Sequence, residues 1–413
     1  MSVYNSRNTY TSIRPPFKSP LAMHIIQFTH PDFINSQSMP RFARMISDAM
    51  IERGYAIECW SAKPITYLLP VPAALKKWLG YIDQFIIFPL QVRLRLRNTP
   101  KNTLFVFSDQ ALGPWVPLVS ERPHVIHVHD FLALRSALGE YPQNPTSRTG
   151  RAYQWLIRRG FSKGKNFISV SQQTREDLHR FLPAPPEVSE VVYNGLNYPY
   201  HPMTTIDCAR VFDGCDSSLP LGEFLLHIGG NQWYKNRMGV LEIYAAYANA
   251  CPNPVPLLMI GPPPTQAMQE ITVKLPATAQ VRFISGLSNE QVCAAYSSAR
   301  LLLFPSIAEG FGWPIAEAMA CGCPVLTTGR PPMNEVGGDA AFYIPEKPQK
   351  VGEIHAWAEN AAHQIIAILG QSPDSRNSVR ESCLRNAARF DTDKTIASYE
   401  NIYLKALTAR VTP

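Results

Sequence analysis

The stretch LLLFPSIAEGFGWPIAEAMACGCPVLT, residues 301–327, decides how the chain folds. Its first four residues are apolar and uncharged, the pattern of a strand buried on both faces of a parallel sheet. Pro305-Ser306 ends that run, and Glu309-Gly310-Phe311-Gly312 forms a loop before Pro314 opens a helix that carries Glu317. Proline suits a first helical turn because its missing N–H has no intrahelical partner there. The glycines let backbone amides approach a ligand closely, and the helix N-terminus adds partial positive charge suited to phosphate. Glu309 in the loop and Glu317 in the helix can address two parts of one extended ligand. A second apolar run at 325–327 completes a strand–helix–strand unit.

The same unit recurs in both directions along the chain. Residues 224–228, 257–260 and 281–284 are short apolar runs separated by helical segments. Upstream, MHIIQF (23–28) leads to a stretch at 39–53 whose Phe42, Met45, Ile46 and Ala49 recur at helical spacing. Gly54 follows where a helix should stop, and further strands are predicted at 56–60, 104–107, 125–129, 167–170 and 191–193. A polar, turn-forming stretch at 197–221 separates the two series. The expected fold class is α/β, with two doubly wound Rossmann-like domains facing a cleft. The expected boundaries are a polar tail 1–22, an N-terminal domain 23–205, a C-terminal domain 206–393, and a last helical segment 394–413. In such sheets ligands bind beyond the carboxyl ends of the strands, where the loops quoted above lie.

Composition limits the alternatives. An apolar fraction of 46% and a charged fraction of 17% suit a globular core and argue against wholesale disorder. No run approaches the ~20 apolar residues of a membrane-spanning helix, and residues 1–22 lack the apolar core of a secretory signal. The eight cysteines show no metal-ligand spacing and read as reduced thiols in the cytoplasm. The net charge of +7 is uneven: residues 1–205 carry 23 Lys+Arg against 13 Asp+Glu, and residues 206–413 carry 16 against 19. Much of the excess lies at 71–101, where Lys76, Lys77, Arg93, Arg95, Arg97 and Lys101 alternate with aromatic and aliphatic residues. A second basic stretch runs from Arg148 to Lys165. Such interleaving suits contact with an anionic membrane surface, whereas no nucleic-acid-binding module is present.

The order PS, EGFG, P, EAMACG and PV, with its pair of glutamates, resembles the signature of retaining glycosyltransferases of the GT-B fold, closest to family 4 (glycosyl transferases group 1). LLHIGGNQWYKNR (225–237) is similar to the first strand and loop of that family's C-terminal domain. LLMIGPP (257–263), VRFISGLSNEQVCAAYSSA (281–299) and NEVGGDAAFYIP (334–345) are similar to later segments, and the likeness covers most of residues 23–405. The resemblance implies a hexosyl transfer from a nucleotide-diphosphate sugar, UDP- or GDP-linked, to a glycan or lipid-linked acceptor. It implies no metal and no further cofactor.

Carried onto this sequence, the donor residues are Gly229, Gly230, Lys235, Gly286, Glu309, Gly310, Phe311, Gly312 and Glu317. Lys235 would neutralise the diphosphate, Glu317 would hold the ribose and Glu309 would contact the donor sugar. The family's usual diphosphate arginine is replaced here by Gly230-Asn231, which leaves Arg237 as the nearby substitute. In VIHVHD (125–130) the family places a catalytic histidine, and alternation puts His127 and His129 on the same side; His129 is preferred for its place at the strand end. Asp109, Gln110 and Asn194 are candidates for acceptor or sugar contact, with SVSQQTREDL (169–178) lining the cleft. The loop 29–39 departs from the family in having no glycine. Asp391-Thr392-Asp393 could suggest a metal-binding pair, but it precedes a helical run and reads as a cap. Gly310-Phe311-Gly312 lacks the third small residue of a dinucleotide fingerprint. Two other functions fit the same fold: a nucleotide-sugar 2-epimerase, and a binding protein without turnover.

Overall fold

The computed structural model describes residues 23–33, 38–212 and 224–408. The polar stretch 1–22, and parts of the loop 29–39 and of the connection 197–221, lie outside the described residues. Strands β1 (His24–Phe28), β2 (Ala56–Trp60), β3 (Leu104–Phe107), β4 (His124–Val128), β5 (Asn166–Ser169) and β6 (Val188–Val191) form a parallel sheet in the order β2-β1-β3-β4-β5-β6. Strands β7 (Leu225–Ile228), β8 (Leu257–Ile260), β9 (Val281–Ile284), β10 (Leu301–Phe304), β11 (Val325–Thr328) and β12 (Phe342–Ile344) form a second, ordered β12-β11-β10-β7-β8-β9. This is the expected α/β architecture of two doubly wound sheets.

The two faces of each sheet feed separate cores, as the period of two along a strand requires. In the first sheet, Ile26, Phe28, Phe105 and Phe107 join Trp60, Phe88, Trp115 and Phe161 on one face. Ile25, Leu104, Val106, Val125 and Ile168 face the other way, toward Phe42 and Ile46. The second sheet divides in the same manner, with Leu226, Leu302 and Phe304 on one face and Leu225, Leu301 and Leu303 on the other.

A helix Thr392–Thr408 follows the second sheet but packs on the first. Its Ile396, Tyr399, Ile402, Tyr403 and Ala406 are buried with Ile25 and Phe42. Asp391 accepts from Lys394 N at 2.8 Å, so this aspartate is a helix cap.

Three sequence expectations need correction. The strand placed at 191–193 is β6, which starts at Val188, because its VSEV sequence has no continuous apolar run. The connection after 197 contains a helix, Thr205–Phe212, whose Cys208 and Phe212 are buried in the second core. Strand β12 is a three-residue edge strand that the sequence reading missed. All seven cysteines among the described residues are free thiols.

Candidate active site

Each sheet reverses its winding beside its first strand, between β1 and β3 in one and between β7 and β10 in the other. Loops that leave such neighbouring strands in opposite directions open a crevice at their carboxyl ends. After β7, Gly229 N bonds Ile260 O at 3.0 Å, and a short turn Trp233–Lys235 follows. Asn236 then adopts the left-handed conformation (φ 52°) and caps the helix Arg237–Ala250 by accepting from Gly239 N at 3.1 Å. Its Nδ2 donates to Pro305 O at 2.9 Å, which ties this loop to the one leaving β10. Ile307 N donates to Tyr234 O at 2.8 Å and makes the same tie a second time. The result is a fixed approach of Lys235 to Glu309: Nζ donates to both carboxylate oxygens, at 2.8 and 2.9 Å.

Gly310 and Gly312 have separate physical reasons to be glycine. A Cβ on Gly310 would run into the carbonyl of His129 across the cleft. Gly312 holds φ at 102° as it leads into the helix Trp313–Ala320. Glu317, buried in that helix, accepts from Tyr296 Oη at 2.9 Å. Burial pushes its carboxyl up to about 7, against the opposing pull of the Tyr296 hydroxyl, Lys235 and Arg41.

The opposite wall comes from the first sheet. His129, immediately past β4, donates from Nε2 to Ser108 O at 2.9 Å. Burial lowers the imidazole's pKa despite the nearby Asp109 charge, so the ring is neutral at neutral pH with Nδ1 as its acceptor. Burial raises the next residue, Asp130, to about 6, even though its Oδ1 accepts from Leu132 N at 2.9 Å. The cleft between the walls has a volume of about 830 Å³ and is lined by Gly229, Gly230, Lys235, Glu309, Gly310, Phe311, Gly312 and Glu317 on one side. Arg41, His129, Asp130 and Asn194 line the other.

A family model described as glycosyl transferases group 1 matches residues 222–378, and one described as glycosyltransferase family 4 matches residues 39–198. The chain belongs to the group 1, family 4-like glycosyltransferases. O-antigen chain mannosyltransferase B of Escherichia coli is 25% identical over 45% of this chain and 49% of its own length. O-antigen chain mannosyltransferase RfbU of Salmonella typhimurium is 24% identical over 57% of this chain and 60% of its own. The chain thus spans about half to three-fifths of the length of these curated relatives. Among solved structures, sucrose-phosphate synthase from Thermosynechococcus elongatus shares the fold with a TM-score of 0.69 at 17% identity, covering 94% of this chain and 100% of that one. WaaG, a glycosyltransferase involved in lipopolysaccharide biosynthesis, shares it with a TM-score of 0.67 at 18% identity, covering 92% and 99%.

Several residues singled out in this family member lie away from the cleft. His127 is fully buried beneath the terminal helix, where its Nε2 meets Tyr403 Oη at 2.6 Å and its ring packs edge-on against Phe42 and Tyr399. It shares a side with His129, as alternation requires, since both rings touch Phe42. Its place one turn of the pleat earlier puts it in the core. Arg237 is also buried: Nη1 bonds Asn231 Oδ1 and, at 2.8 Å, Pro262 O, and the guanidinium lies over Phe283. It props the Gly229-Gly230 loop from behind and does not line the cleft. Gly286 does not line it either, and occupies an open turn at φ 77°.

Asp109 and Gln110 support the wall from outside. Asp109 accepts from His30 Nε2 at 2.8 Å and from Ala111 N at 2.9 Å. Burial would raise its carboxyl, but the bond and charge of His30 outweigh that and hold it low. Gln110 clamps the end of β4 by donating to Asp130 O at 2.6 Å and accepting from His129 N at 2.9 Å.

The sequence reading missed three residues that the fold brings to this region. Asp130 was visible as an acid at a strand end beside the preferred histidine. Arg41 had no such signal, lying in what reads as an ordinary amphipathic helix. Glu335 accepts from Gln172 N at 2.7 Å and Gln173 N at 2.9 Å, capping a helix of the opposite domain.

Proposed function

We propose that this chain moves a hexosyl group from a UDP- or GDP-sugar to a glycan or lipid-linked acceptor, with retention at the anomeric carbon and without a metal. The observation that carries the reading is the convergence of Lys235, Glu309, Glu317 and the Phe311 and Gly312 loop on one wall of a cleft whose other wall holds His129 and Asp130. In this reading the ribose hydroxyls meet Glu317, and the diphosphate lies at Lys235 and the helix N-terminus. The sugar then lies between Glu309 and His129. The neutral imidazole can accept from a sugar hydroxyl at Nδ1 without adding charge.

As the bond from the anomeric carbon to the phosphate oxygen breaks, negative charge grows on the diphosphate, where Lys235 and the loop amides stabilise it. The acceptor hydroxyl attacks from the same face, forming the new carbon–oxygen bond while its proton passes to the departing phosphate oxygen. The relatives named as O-antigen mannosyltransferases favour a glycan acceptor. Peripheral membrane contact at the cytoplasmic face is supported by Leu75, Trp78, Ile86, Leu90 and Leu94, all exposed among the cations of residues 71–101. No helix among the described residues is long and apolar enough to cross a membrane.

The test is a panel of UDP- and GDP-sugars with released nucleotide as readout, repeated in EDTA. Slow release without acceptor, retained in EDTA and reduced more than about 100-fold by Glu309→Ala, supports transfer. Proton NMR of the product then reads the anomer. A 2-epimer product would assign the fold to an epimerase, and binding without turnover to a nucleotide-sugar receptor. Membrane contact is read separately, by co-sedimentation with phosphatidylglycerol vesicles at low salt and its loss at high salt.

A further inference from the structure

The charges in the cleft do not balance for the ligand proposed above. Lys235 spends its charge on a two-pronged pair with Glu309. Asp130 and Glu317 add two more carboxyl groups to the walls, and His129 is neutral. A nucleoside diphosphate ester brings about two negative charges into this surrounding, and unpaired like charges at close range are costly. Arg237 does not line the cleft: it is buried behind the Gly229-Gly230 loop, with Nη1 on Asn231 and Pro262 and with Nε and Nη2 unpartnered among the described residues.

Arg41 is differently placed. It lies in the first turns of the helix Ser38–Glu52, is exposed, and lines the same cleft as Lys235 and Glu317. Among the described residues it has no ion-pair or side-chain hydrogen-bond partner. Arg41 and Glu317 line the same cleft, and the guanidinium charge acts on the Glu317 carboxyl against its burial. A guanidinium can grip two phosphate oxygens at once, which a lone ammonium cannot.

We propose that Arg41 is the second cation of the diphosphate site and forms, with Lys235, a clamp that spans the cleft from both domains. The proposal rests on the donor reading above. It also gives that reading a coupling: a diphosphate held by Lys235 from one domain and Arg41 from the other draws the two walls together. Donor binding and exclusion of water then become one event.

The test titrates the full chain with UDP, GDP and ADP by calorimetry, then repeats the tightest of these with three variants. Arg41→Gln is expected to weaken it about tenfold or more and to flatten the salt dependence of binding. Arg41→Lys should recover part of the loss, and the melting temperature should not move, because the side chain is exposed. Arg44→Gln, an exposed neighbour on the same helix that bonds only Pro40 O, is the control and should bind as the parent does. Binding by Arg41→Gln within about twofold of the parent overturns the clamp while leaving the donor reading intact. Absence of any nucleoside diphosphate binding by the parent overturns the donor reading, and the clamp with it.

Discussion

Glu317 shows what one residue costs the fold for the sake of the site. Its ordinary carboxyl value is 4.5, and burial raises it to about 7 in the folded chain. The unfolded chain therefore gives up this proton more readily, so stability falls as pH rises from about 4.5 to about 7, and the penalty is complete above that. Glu317→Gln keeps the shape and can still accept from Tyr296. It should stabilise the protein by about 1–3 kcal/mol at pH 8 and by well under half that at pH 5, while weakening donor binding. Urea unfolding at the two pH values reads the difference, and an equal effect at both would refute the assignment. The residue scale is also where sequence and structure part most clearly. Glu309 and Lys235 were legible because their loops follow buried strands, and Glu317 because it lies in the helix that Pro314 opens after them. Asp130 carried a local signal, as an acid beside His129 at a strand end, whereas Arg41 acquires meaning only from groups such as Glu317 that lie more than a hundred residues away in the chain. His127 and His129 differ by one pleat repeat, which alternation cannot separate but the end of β4 does.

At the scale of elements, the cleft wall that carries Lys235 and Glu309 depends on a single asparagine. Asn236 holds a left-handed backbone, caps the helix Arg237–Ala250 and donates to the Pro305 carbonyl, so three elements meet in one side chain. Asn236→Ala loses both bonds and strains the backbone, for an expected loss of about 2–4 kcal/mol. Asn236→Gly loses the bonds but tolerates the conformation, so it should cost less. Denaturant midpoints of the two variants give the order, and a glycine variant weaker than the alanine variant would contradict it. Strands covered on both faces, such as β3, β8 and β10, were readable as apolar runs because neither face meets water. β6 and β12 were not, because VSEV has no continuous apolar run and β12 is only three residues long, whereas the edge strands β2 and β9 were placed from sequence. The helix Thr205–Phe212 was missed for a related reason: only Cys208 and Phe212 of its eight residues are buried, too few to show a helical stripe.

The whole molecule holds its two walls together with a small set of cross-cleft bonds. Ser171 Oγ and Thr174 Oγ1 donate to Gly310 O at 2.8 and 3.2 Å, in the loop that carries Glu309. Glu335 accepts from Gln172 N, Gln173 N and, at 3.3 Å, Tyr193 Oη, placing a carboxylate at the N-terminus of the helix Gln172–Phe181. Glu335→Ala removes that latch without touching the cleft lining. The expected outcome is a larger radius of gyration in solution scattering and a higher ratio of donor hydrolysis to transfer, because water enters a looser cleft. An unchanged radius and ratio would show that the remaining bonds suffice.

The helix Thr392–Thr408 carries a further consequence, for the order in which the chain can fold. The sheet face bearing Ile25, Leu104 and Val125 is covered in part by Phe42 and Ile46 and in part by Ile396, Tyr399 and Tyr403. On a ribosome, the latter part emerges only after the second domain has been made. The first domain synthesised is therefore the last to be finished, and it spends most of translation with part of an apolar face uncovered. A premature stop within the last few turns would remove no residue of the cleft, yet it would strip the core from the opposite end of the chain.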